Sequence, residues 1–135
     1  MDNPNSIGRV IKALLLESED VARMTGGRVF PIVALVQNPM RDTPCVVYTK
    51  TGLTPAGVKE FPSYGLASVT VSAVARSYQD MVVLSGAVLN ALAEKSGDIE
   101  GKSIKRIAWR DARDNYEDGM FIQEMDFEIK MRMDE

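Results

Sequence analysis

Residues 68–97, SVTVSAVARSYQDMVVLSGAVLNALAEKSG, change period almost without a pause. Val69, Val71, Ala73 and Ala75 alternate with Ser68, Thr70 and Ser72, the two-residue repeat of a strand with one buried face. Val74 alone blurs the polar side. A few residues later Met81, Leu84, Ala87, Val88, Ala91 and Leu92 fall on one stripe of a helix. Between the two lies ARSYQ, in which Ser77 opens a Ser-x-x-Asp capping box closed by Asp80. Lys95 and Gly97 carry the usual marks of a helix end. So short a join folds the helix back over the apolar face of its own strand, which demands a sheet with helices packed against it.

The remaining segments fit that frame. Ile7, Val10, Ile11, Leu14 and Leu15 form an apolar stripe behind a candidate cap at Ser6. Ser18 restarts a short helix with Glu19 and Asp20 in its first turn, and Gly26-Gly27 ends it. Residues 28–44 carry three prolines and read as a short extended piece at Val29–Phe30, then an irregular crossing. CVVYTKT, residues 45–51, reads as a strand. Residues 52–65, with three glycines and two prolines, read as a long loop. Residues 104–113 form a less regular strand around Ile107 and Trp109, and residues 115–119 a turn marked by Asp118-Gly119. In the last strand Met125, Phe127, Ile129, Met131 and Met133 alternate with Glu124, Asp126, Glu128, Lys130 and Arg132. One wet face and one buried face are typical of an antiparallel sheet. The expected architecture is one α+β domain over residues 1–135: a mainly antiparallel sheet of about four strands with two helices packed on one face.

Chemistry leaves little trace. The chain has no histidine, which removes the commonest general base and most zinc sites. Cys45, the single cysteine, follows Pro44 at the head of an apolar strand with no basic neighbour to lower its pKa. It reads as a small core residue, and one cysteine allows no internal disulfide. The turn DARDNYEDG, started at Asp114 as an EF-hand loop, puts Gly119 sixth as required. It also puts Tyr116 third and Met125 twelfth, where oxygen ligands are needed, so a solvated hairpin tip is the better reading. The glycines of residues 52–65 match no phosphate-cradling spacing. Lys102, Lys105, Arg106, Arg110 and Arg113 read as a charged strand face balanced by Asp111 and Asp114. No catalytic residue, cofactor site or metal site is expected. The net charge of −3 argues against nucleic acid as the main ligand. The N-terminus lacks the basic region of a signal peptide, and the longest mostly apolar run, residues 81–93, is shorter than a bilayer span, so no membrane association is expected.

Three stretches carry a resemblance: ALLLESEDVARMTGGRVFP (13–31), TPCVVYTKT (43–51) and LASVTVSAVARSYQDMVVLSGAVLNAL (66–92). Their order and spacing resemble the tail completion, or tail-to-head joining, family of long-tailed bacteriophages, over roughly Ile7 to Met133. The resemblance implies a structural virion protein without enzymatic activity, with an α+β fold like that of tail terminators. It implies self-association into a ring, commonly a hexamer, at the head-proximal end of the tail tube. The implied partners are the tail tube protein and a neck or connector protein, and the implied place is the tail–head junction, reached by assembly in the host cytoplasm. The loop at 52–65 has no counterpart in the resemblance. Apolar side chains on a long loop call for a partner, and Phe61 and Tyr64 are the expected assembly contacts, although both could also fold back on their own sheet. Two other readings stand beside this one: another neck, head-completion or minor tail protein, and a small ferredoxin-like ligand-binding module, which would form a dimer around a pocket.

Overall fold

The computed structural model describes residues 7–32, 43–55 and 64–132. Helix α1 (Gly8–Glu17) buries Val10, Ile11, Leu14 and Leu15, the stripe read from the sequence. The cap expected at Ser6 lies outside the described residues. Helix α2 (Glu19–Thr25) starts where the Ser18 side chain accepts from the Val21 N–H at 3.3 Å. It stops at Gly26, whose φ of 62° is left-handed and suits a residue without a side chain. Strand β1 (Val29–Phe30) then runs parallel to β2 (Cys45–Pro55). Strand β3 (Tyr64–Ala75) leads into α3 (Tyr78–Leu92), where Ser77 accepts from the Asp80 N–H at 3.1 Å, so the expected box forms its forward half. Strands β4 (Gly97–Ile99), β5 (Lys102–Glu117) and β6 (Met120–Arg132) complete the chain.

The strand order is β1-β2-β3-β6-β5-β4. This corrects the expected four-strand antiparallel sheet with two helices. Among the described residues the sheet has six strands, is mixed, curls into a half-barrel, and carries three helices. The extra strands have two and three residues, too few to show a period. The third helix is α2, the short helix read after Ser18 but not counted in the two-helix layer; Ser18, in an extended conformation, separates it from α1. Two other boundaries move. Helix α3 ends at Leu92 rather than near Gly97, because Ala93 turns extended, and Glu94 then takes a positive φ of 61°. The long loop shortens, because Gly52–Pro55 pair with Gly65–Ser68. Gly52 sits at an irregularity of that ladder, which hides the strand from a period-two reading.

The core lies between sheet and helices. Val69, Val71 and Ala73 of β3 and Met125, Phe127, Ile129 and Met131 of β6 join Leu84, Val88 and Leu92 of α3 and the α1 stripe in one cluster. The register read for the β3 and β6 strands is therefore the observed one; Met133 lies outside the described residues. Cys45 is fully buried at the start of β2. Strand β5 read as irregular for a definite reason. Ile104 faces Met131 and Ile107 faces Ile129, so three steps on β5 match two on β6. A second extra residue falls between Trp109, opposite Phe127, and Asp111, opposite Asp126. Each bulge flips the side-chain parity, so no single alternation survives along the strand.

Candidate functional surfaces

Two surfaces come into question, one on each side of the sheet. The side without helices among the described residues carries polar side chains interspersed with Val47, Val74 and Ile122. Val47 and Thr49 of β2, Thr70 and Ser72 of β3, Arg113 of β5 and Glu124 of β6 are among the residues around a shallow cavity of about 410 Å³. Arg113 is tied to three carboxylates there. Its Nη1 donates to Asp126 Oδ2 at 2.7 Å and to Asp111 Oδ2 at 3.1 Å, and its Nε lies 3.9 Å from Glu124 Oε1. The Thr70 hydroxyl donates to Asp126 Oδ1 at 2.8 Å. Nearby, Arg110 donates to Glu128 at 2.9 Å.

These bonds set the electrostatics. The hydrogen bond from Arg113 is the main reason the Asp126 carboxyl titrates below its ordinary value, and the Thr70 hydroxyl adds to it. Arg113 is held above its ordinary range, chiefly by Asp126. A carboxyl depressed in the folded state adds stability that is complete above its unfolded pKa, ~3.9, and is lost as pH falls through the lower folded value. Replacing Arg113→Met should therefore flatten the acid limb of a urea-midpoint profile measured from pH 7 to pH 2.5. Limbs of equal steepness in both proteins would show that the pair contributes nothing to acid stability.

The basic run read from the sequence is only partly a solvated strand face. Arg106 makes two bonds to Glu94, at 2.8 and 2.9 Å, and Arg110 and Arg113 pair mainly across to β6. Lys102 is buried, and Asp114 accepts from Gln123 at 2.9 Å rather than from a cation. The acidic turn is the β5–β6 hairpin, with Asp118 and Gly119 at φ 51° and 82°. Two left-handed residues make the tight turn that suits twisted strands, and Asp-Gly is a preferred pair for it.

The helix side carries the second surface. Tyr78, Val82, Trp109 and Tyr116 are 54%, 41%, 49% and 61% exposed, high values for large apolar side chains. The rings of Tyr78 and Phe121 meet edge-on at 6.1 Å, and those of Tyr116 and Phe121 at 4.8 Å. This surface was missed in the sequence reading, where Trp109 served only to mark a strand. Of the two residues expected to make assembly contacts, Phe61 lies outside the described residues. Tyr64 opens β3, its backbone paired with Arg132. No helix among the described residues is long and apolar enough to cross a membrane.

Residues 9–132 match the family model of tail completion protein gp17. The chain belongs to that family. Among solved structures this tail completion protein is similar to a chain of the virion of a native gene transfer agent particle. The TM-score is 0.69 at 12% identity, over 91% of this chain and 92% of that one. At that identity the likeness is one of fold. No match was found among curated proteins. The family places the chain among structural components of the phage-type virion, at its tail and neck.

Proposed function

We propose that this tail completion protein caps the head-proximal end of the tail tube as a ring of identical subunits, six being the family's common number, and joins it to the neck. The observation that carries this reading is the family match over residues 9–132. The surfaces support it. The arginines of the polar face are engaged by carboxylates, and the exposed side chains on the helix side are aromatic and aliphatic, the types that anchor protein contacts. In this reading the partners are other copies of the chain, the tail tube protein and a neck or connector protein. The protein works by shape and contact, without catalysis, and it assembles in the host cytoplasm. Phe61, between β2 and β3, and Tyr64, at the start of β3, are assembly contacts.

Deleting the gene from its phage or prophage should leave full heads unjoined to tails, with tails of irregular length in electron micrographs. Joined particles of normal length from the deletion strain would refute the function. Complementation with the Phe61→Ser/Tyr64→Ser protein tests the two contacts separately. It should fail to restore joined particles although the protein accumulates and folds, and full restoration would remove them from the interface.

A further inference from the structure

Among the described residues no helix covers β5. Helix α3 packs on β3 and β6, while α1 and α2 pack toward β1 and β2. Beyond Ile107, the helix-side residues of β5 are Trp109, opposite the buried Phe127, then Ala112, opposite the buried Met125, then Asp114, opposite Gln123, then Tyr116, opposite Phe121. Trp109 and Tyr116 are 49% and 61% exposed, so this part of β5 forms an exposed, largely apolar floor with Asp114 on it. The wall beside it is α3. Tyr78 and Val82, one turn apart, are both exposed, and the Tyr78–Phe121–Tyr116 ring contacts tie wall to floor. Surface helices ordinarily carry a polar outer face. Helix α3 has one charged residue, Asp80, in its 15.

The edge of the floor is also open. Strand β4 covers only Lys102–Ile104 of the 16-residue β5, and the Glu94 N–H covers the Ile107 carbonyl. Past that point no strand among the described residues pairs with the outer edge of β5. An open edge of this length is ordinarily shielded by something. Trp109 is held in place there, its indole N–H donating to the Asp111 carbonyl at 3.0 Å. An aromatic side chain already fixed before binding is a low-entropy anchor.

The complement lies at the other end of the same molecule. Leu16 is 38% exposed on α1, which packs on β1, β2 and α3, and Ile32 is 48% exposed just after β1, the opposite edge strand. Arg9, Lys12 and Leu16, spaced as i, i+3 and i+7, form the outward stripe of α1. The stripe is cationic with an apolar end, and the floor carries Asp114 between Ala112 and Tyr116. We propose that the shelf formed by β5 and α3 seats the outward face of α1 from a second copy of this chain, Leu16 against Trp109 and the Arg9–Lys12 end toward Asp114 and Tyr116. The inference rests on the ring reading and specifies its contact. The two surfaces differ and lie at opposite edges, so the contact is heterologous and repeats head to tail until it closes.

The test uses sedimentation of the purified full chain. The wild type should sediment as a closed oligomer. Trp109→Ser on the shelf and Leu16→Glu on α1 should each weaken association at least ~30-fold, the size of a hot-spot loss. Both should keep wild-type far-ultraviolet circular dichroism; Tyr116→Ser replaces Trp109→Ser if the latter does not fold. Mixed one to one, the two variants should form a dimer and nothing larger, because one intact shelf meets one intact α1 face. An oligomer that survives both substitutions, or a mixture that stays monomeric, would overturn the seat while leaving the ring reading standing. A wild type that is monomeric at all concentrations would overturn both.

Discussion

Phe127→Ala should lower the unfolding free energy by about 3–5 kcal/mol. Phe127 is 1% exposed near the middle of β6, between Val69 of β3 and Trp109 of β5. Its ring belongs to the cluster that also holds Leu84 and Val88 of α3. Truncation removes apolar contacts and leaves a cavity that two hydrogen-bonded neighbours and a helix cannot collapse to fill. A domain of ordinary stability has ~5–15 kcal/mol in total, so the variant should be marginal at 37 °C. Urea unfolding followed by tyrosine and tryptophan fluorescence measures it. A loss below about 1 kcal/mol would mean that the ring does not face the helices.

Ile129→Lys should abolish cooperative folding, whereas its neighbour Glu128→Gln should shift stability by no more than about 1 kcal/mol. Ile129 is fully buried, opposite Ala67 on one side and Ile107 on the other. An ammonium group there has no carboxylate among its paired neighbours and would have to lose its proton or unfold the sheet. Glu128 is one residue along and on the other face. Its exposed pair with Arg110 at 2.9 Å is of the kind that contributes little in water. The contrast between adjacent positions tests the register, since a one-residue slip would exchange their roles. Thermal melts by circular dichroism suffice. A cooperative transition for Ile129→Lys near the wild-type midpoint would overturn the assignment of β6.

What was legible in the sequence was whatever one local period could express. β3, β6, α1 and α3 each keep a single repeat over many residues, and each forms with the buried face expected of it. The caps at Ser18 and Ser77 were legible because they are contacts over three residues. Strand β5 was blurred because two bulges shift its parity, and Trp109 and Tyr116 were hidden with it. The Arg113 network was hidden for another reason. Its partners Asp126 and Glu124 come from β6, and Thr70, which supports Asp126, lies 56 residues from it in the chain.

The sequence by itself determined which residues can be buried, because periodicity and side-chain chemistry are properties of short segments. It also carried the family, through the order of hydrophobic and glycine steps between Ile7 and Met133. Only the tertiary structure decided the strand order, the parallel pairing of β1 and the six strands in place of four. Those depend on which edges meet in space, a choice made by the packing of the whole layer. For the same reason the apolar shelf could not be seen beforehand: exposure at Tyr78, Val82, Trp109 and Tyr116 follows from where the helices stop covering the sheet, and no local pattern encodes that.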